Sequence, residues 1–217
     1  MTTLVEQGIN KKVYCPISGS SKLQSWSNSN MDEFNSIKTW VSEFLCAPHP
    51  YLGRSGDVCP FTREAIDKDS IFFTLEKSTR LEKENEIKKI TSQIKQFKEL
   101  KVNNSESYKV IINAYPYLDK DEYLKIEAIQ NELKPIFVEE SLMIGQFYPG
   151  CKERGLWSDK FFPLDSPIAF LAVRNMAITD IVFLRSNELF LQKYLQVFNK
   201  RGEVFLKKIM DKNESNN

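Results

Sequence analysis

Apolar residues recur every three to four positions between residues 31 and 46. Phe34, Ile37, Trp40, Val41, Phe44 and Leu45 fall on one face, which predicts an amphipathic helix. Asn30 stands where a short side-chain oxygen can satisfy the free N–H groups at its start. The APHP that follows ends it, because proline cannot continue the hydrogen-bond ladder. SIFFTLEK, residues 70–77, reads as a strand. From 80 to 101, Leu81, Ile87, Ile90, Ile94 and Phe97 form a narrow apolar stripe on an otherwise charged helix. SYKVIINAYPY (107–117) is a strand closed by Pro116, and DKDEYLKIEAIQNEL (119–133) is a helix that Asp119 can cap. LMIGQFYPG (142–150) and IAFLAVR (168–174) are strands, the second apolar enough to be central. TDIVFL opens a last helical region that runs with one break to about residue 211.

Strands alternate with helices early, and then two strands come in succession. This pattern predicts an α+β (or α/β) fold, with a central sheet of about four strands flanked by helices. Residues 1–30 are polar, rich in Ser and Asn, and read as an N-terminal tail that can dock through Val13, Tyr14 and Trp26. Residues 31–211 then make a single domain, with no internal repeat or linker, and 212–217 (KNESNN) a disordered tail.

Composition narrows the functional classes. The 217 residues are 41% hydrophobic and include 15 Phe, enough apolar volume for a substantial core. Thirty Lys and Arg nearly cancel 29 Asp and Glu, which argues against a broad electrostatic partner such as duplex DNA or an anionic membrane. No apolar run approaches the roughly 20 residues of a membrane helix, and MTTLVEQGINKK has no apolar signal-peptide core. A cytosolic (cytoplasmic) protein is expected. Its partner is expected to be a small molecule, not nucleic acid and not a membrane, with a homodimer left open. The four cysteines, at 15, 46, 59 and 151, are widely spaced and form no C-x-x-C.

Two long loops, 47–69 and 149–167, share an excess of Pro, Gly, Arg and aromatic residues and are expected to lie together and build any pocket. The first opens with HPYLGRSGDVCPF, residues 49–61, which holds the chain's one histidine. His49, between two prolines, is a candidate metal ligand or acid–base group. Cys59, beside Pro60, is a candidate thiolate if Arg54 or Arg63 lowers its pKa. Gly53 and Gly56 tolerate positive φ, and Arg54 between them is expected to reach toward an anion. Arg174 ends an apolar strand, where an unpaired charge is costly, so it should meet Asp180, Asp165 or a ligand carboxylate. The usual glycine-rich, nucleophile-elbow and zinc motifs are missing from the sequence. A site of several imidazoles is excluded by the single histidine, and a serine triad would have to use His49, with no nucleophile elbow to support it. A cofactor needing one axial ligand, chiefly haem, stays open.

Beyond the opening motif, FYPGC…GLW, FFPLDSPIAFLAVRNM and TDIVFL complete a pattern over about residues 45–200. It resembles an uncharacterised bacterial family described as a domain of unknown function. Members usually carry F-H-P where this chain has Phe147-Tyr148-Pro149. The chain is also similar, more faintly, to the YqcI/YcgG family. There Cys59-Pro60-Phe61 matches one segment and Tyr148-Pro149 another, with its histidine replaced. Some members of that family are haem-dependent oxygenases that hydroxylate an amino or guanidino nitrogen. The resemblance implies a haem monooxygenase acting on a small nitrogenous metabolite. His49, Cys59 or the Tyr148 phenolate would bind iron, and Arg54 and Arg174 the propionates. Arg154, Trp157 and Phe61 are the substrate-binding candidates. Two other readings stand beside it: a non-catalytic partner protein of a biosynthetic or defence cluster, and a cofactor-free enzyme with Cys59 as nucleophile and His49 as base.

Overall fold

The computed structural model describes residues 23–26, 32–102 and 106–214. The expected docking of Val13 and Tyr14 and the cap at Asn30 lie outside these residues.

The elements are β1 (Gln24–Ser25), α1 (Asp32–Trp40), α2 (Thr62–Asp67), β2 (Ile71–Leu75), α3 (Lys83–Glu99) and β3 (Val110–Tyr115). They continue with α4 (Tyr123–Glu139), β4 (Leu142–Phe147), β5 (Ala169–Asn175), α5 (Ile181–Leu184) and α6 (Glu188–Glu214). A π-helical turn, Val41–Leu45, extends α1 and is closed by Cys46 N–H donating to the Val41 carbonyl at 3.0 Å. One mixed sheet runs in the order β1-β2-β3-β5-β4. β2 and β3 are parallel, joined through α3, while β5 pairs antiparallel with both β3 and β4. The domain is α+β, as the order of strands and helices predicts.

The two faces of the sheet carry separate cores. On one, Ile90, Phe97, Ile126, Ile129 and Phe137 of α3 and α4 cover Phe72, Ile111, Leu171 and Val173. On the other, Phe34, Ile37 and Val41 cover Ile71, Phe73, Ile112 and Phe170. A third cluster ties α5 and α6 to the end of the sheet through Met143, Met176, Ile181 and Tyr194.

The structure corrects four expectations. The sheet has five strands: Gln24 and Ser25, assigned to the tail, pair with Phe73 and Phe72. Trp26 anchors this edge by stacking on Phe73 with ring centroids 5.6 Å apart. Loop 47–69 contains α2, whose six residues are too short for a periodic signal. The side chain of Asp119 makes no cap and lies 3.9 Å from Arg80. Helix α4 runs on through Pro135. An interior proline costs about 3 kcal/mol, but Phe137 and Val138 beyond it are fully buried. Each such burial contributes about 1.5–3 kcal/mol, so continuing the helix wins.

Among the described residues the buried side-chain polar atoms are matched, the Ser25 hydroxyl excepted. Asn113 inside β3 exchanges hydrogen bonds with Gln93 and accepts one from Thr74 at 2.6 Å. Tyr115 is fully buried and donates to Glu86, which Lys89 also pairs with at 2.6 Å. Burial first, and then the Glu86 charge, push the Tyr115 pKa well up. Burial likewise pushes Tyr194 up to about 12. A phenol whose folded pKa is raised gives stability that is intact below the unfolded value of about 10 and lost above it. Alkaline titration should therefore show these phenols ionising only together with unfolding, as read by ultraviolet difference spectra and circular dichroism. Ionisation of all the tyrosines at about pH 10 in the folded protein would contradict this.

Candidate functional site

The two long loops meet. His49 stacks on Phe161 with centroids 4.6 Å apart, and Gly53 lies directly against Trp157. A Cβ at Gly53 would come within 2.6 Å of the Trp157 Cβ, and the residue has φ +75. Both a close approach and a left-handed backbone thus require glycine there. The first loop is held at its ends by Val58 N–H to the Ala47 carbonyl and Cys59 N–H to the Leu45 carbonyl, each 2.9 Å.

The arginine of this loop does not reach outward as expected. Arg54 folds back and donates to the carbonyls of Ser55 and Val58, both at 2.9 Å. Arg63 is likewise engaged, with Asp57 at 2.9 Å and with the Cys46 carbonyl. Burial pushes the Cys46 thiol pKa up, and the Arg63 charge offsets this only in part.

Beneath the loops, the sheet face is incompletely covered. β5 has a strand on either side, so its residues can meet solvent only through a face. Ala172 on β5 nonetheless stays partly exposed, and so does its cross-strand neighbour Gly145 on β4. These two small residues form a floor. One wall is aromatic. Phe147 and Phe170 stack at 4.4 Å, and Trp40 stands edge-on to both at 5.9 Å. Phe44 stacks on Trp40 and meets His49 edge-on, linking the wall to the loop. The π-helical turn presents Phe44, and turns of this kind are frequent at functional sites.

The other end of the floor is polar. Arg174 follows Ala172 on the same face and donates to both oxygens of Asp180, at 2.6 and 2.7 Å. Burial works against the guanidinium charge, but the Asp180 hydrogen bonds and charge outweigh it and raise its pKa. Phe61 lies over the guanidinium at 5.3 Å. Of the two partners expected for Arg174, Asp180 is the one used; Asp165 accepts from Gly150 N–H instead. Cys59 is a free, half-buried thiol packed against the same cluster. Arg154 stands apart at the surface with Asp159 at 3.3 Å, and Trp157 is 49% exposed.

Tyr148 is on the opposite face, in the core formed with α3 and α4. Its hydroxyl donates to Glu127 at 2.7 Å. Burial first, and then this bond, push its pKa far above the ordinary phenol value. It is held as a phenol, not as the phenolate an iron ligand requires. His49 Nδ1 accepts from the Tyr51 backbone N–H at 3.2 Å. That places the imidazole proton on Nε2, the reverse of the usual ligand arrangement, in which Nδ1–H donates and Nε2 binds the metal. Of the three iron-ligand candidates, His49 and Tyr148 thus have a ring nitrogen or hydroxyl engaged within the protein, while Cys59 is a free, half-buried thiol. No group of three or more His, Cys, Asp and Glu side chains that could hold a metal ion occurs among the described residues.

Trp40, Phe44, Phe147, Gly145 and Ala172 escape the sequence reading. The aromatic residues belong to apolar stripes and read as core. The usable signal is the pair of small residues within the otherwise bulky strands LMIGQF and AFLAVRN.

No helix among the described residues is long and apolar enough to cross a membrane. Comparison with known proteins finds no matching curated protein and no matching solved structure. A family model does match, from Phe34 in α1 to Lys208 in α6, leaving β1 outside. The chain belongs to the family described as a domain of unknown function, DUF6875, over residues 34–208.

Proposed function

We propose that the sheet face over Gly145 and Ala172 binds a small molecule bearing a flat, delocalised group. The observation that carries this is Ala172, partly exposed on an interior strand beside three ordered rings. A flat group laid on that floor can stack on Phe147 or meet the edge of Trp40, contacts worth about 0.5–1.5 kcal/mol each beyond area burial. An aryl ring and a guanidinium both suit this wall, the second through cation–π attraction. Arg174 is neutralised by Asp180 and shapes the end of the site without offering a spare charge.

The narrower reading is a haem-dependent oxygenase of an amino or guanidino nitrogen. It is favoured by the half-buried Cys59 thiol beside this face. Haem bound there would supply oxygen activation, while the aromatic wall would orient the flat substrate and keep water away.

One thermal-unfolding experiment tests both readings. Ligand at 100 times its Kd stabilises by about 2.7 kcal/mol, or roughly 5–10 °C for a domain of this size. Aryl amines, aryl guanidines and ferric haem are each added to the wild type and to Ala172→Phe, which fills the floor. At least one probe is expected to raise the wild-type Tm and not the variant's; a panel that moves neither overturns the proposal. If ferric haem binds, its absorption band should change in Cys59→Ala but not in His49→Ala or Tyr148→Phe. A wild type that takes up no haem removes the oxygenase reading and leaves the broader one.

A further inference from the structure

At the border of the binding face, Cys46 and Cys59 form a feature with chemistry of its own. The chain leaves the π-helical turn at Cys46, runs out through the His49 loop and returns at Cys59. The two ends are clamped by Val58 N–H to Ala47 O and Cys59 N–H to Leu45 O, bonds that straddle Cys46. The second bond joins Cys59 to the peptide group that leads into Cys46, so the two residues are neighbours across the neck of the loop. A disulfide needs Cα atoms about 4.4–6.8 Å apart, a spacing within reach of neighbours tied in this way. The Arg63 side chain adds a third tie, from the returning arm to the Cys46 carbonyl. Cys46 is 7% exposed, whereas Cys59 is partly open to solvent. The two thiols are close enough to perturb each other's ionisation.

We infer that Cys46 and Cys59 are a peroxide-sensitive dithiol that closes to a disulfide and staples the base of the His49 loop. Cys59, the more accessible thiol, is the attacking group. Its thiolate displaces hydroxide from hydrogen peroxide and becomes a sulfenic acid, the hydroxide taking up a proton to leave as water. The Cys46 sulfur then attacks the Cys59 sulfur, a second water leaves, and the S–S bond forms. Two thiols lose two hydrogens and one peroxide becomes two waters, so the step balances. A small-molecule thiol reverses it. The inference does not depend on the proposed ligand face.

The two cysteines fall in separate tryptic peptides, because Arg54 lies between them: residues 39–54 and residues 55–63. The intact protein is exposed to hydrogen peroxide, its remaining thiols are alkylated, and it is digested without reductant. The expected product is the 39–54 peptide disulfide-linked to the 55–63 peptide, lost on adding dithiothreitol. Cys46→Ser should instead leave a Cys59 sulfenic acid that dimedone traps, and Cys59→Ser should leave Cys46 a thiol. The inference is overturned if Cys46 remains alkylatable while Cys59 proceeds to the sulfinic acid. It is equally overturned if the linked peptide pairs either residue with Cys15 or Cys151. Oxidation is not expected to unfold the protein, and circular dichroism of the oxidised sample checks this.

Discussion

Replacing Gly53 with alanine is expected to destabilise the protein by about 2–4 kcal/mol. Two costs combine. A residue with a Cβ pays to hold φ +75, and that Cβ would come within 2.6 Å of the Trp157 Cβ and 3.0 Å of its carbonyl oxygen. Neither atom is the tip of a flexible side chain, so one of the two loops has to shift. Gly56 separates the terms. It has φ +86 but would place a Cβ no nearer than 3.8 Å from an Arg54 nitrogen. Gly56→Ala should therefore cost only the dihedral strain, about 1 kcal/mol. Urea unfolding of both variants measures the difference. Equal costs would mean that contact between the loops adds nothing. The Gly53 variant should also lose order selectively around Trp157, visible as a shift in tryptophan emission.

Replacing Asp180 with alanine is expected to cost about 3 kcal/mol, near the lower end for breaking a buried ion pair. Asp180 is 2% exposed, and Arg174 keeps 25% of its side chain accessible, so water recovers part of the stranded charge. The loss also orphans the Ala177 N–H, which donates to Asp180 at 2.7 Å to start the turn into α5. A double variant, Asp180→Ala with Arg174→Met, removes the unpaired charge and should recover much of the stability. If the double variant is no more stable than the single one, the cost lies in the turn at Ala177 and not in the ion pair.

Much of this fold is legible because its helices and strands have long, clean apolar patterns. Helix α3, with its stripe of Ile90, Ile94 and Phe97, is read almost to its ends. The all-buried β3 is found as an apolar run. What fails is structure that depends on distant partners. Gln24 and Ser25 carry no strand pattern; their pairing comes from the exposed edge of β2 and the stacking of Trp26 on Phe73. The helix expected to end at residue 133 runs on through Pro135, which the burial of Phe137 accounts for.

The site divides in the same way. The meeting of the two loops and the Arg174–Asp180 pair follow from composition and from the cost of burying a lone charge. The direction of Arg54 does not, since its own loop carbonyls compete with any ligand for its donors. Nor does the separation of Tyr148 from His49. In a strand, neighbouring residues point to opposite faces, so Phe147 joins the aromatic wall while Tyr148 turns to Glu127. The partly exposed Ala172 is the hardest feature to foresee, because nothing local marks which part of a sheet face its helices leave open.

The central claim is that this open stretch of sheet is a binding face, and a fluorescence titration with anilinonaphthalene sulfonate addresses it most directly. The dye carries an apolar aromatic body beside its sulfonate and brightens when that body is sheltered from water. It is titrated into the wild type, into Ala172→Phe, which fills the floor, and into Phe147→Leu, which removes one ring of the wall. Far-ultraviolet circular dichroism confirms that all three are folded. Saturable binding by the wild type, weakened at least about tenfold, or about 1.4 kcal/mol, in both variants, is the expected result. Unchanged dye affinity in the two folded variants would place any binding elsewhere and contradict the claim.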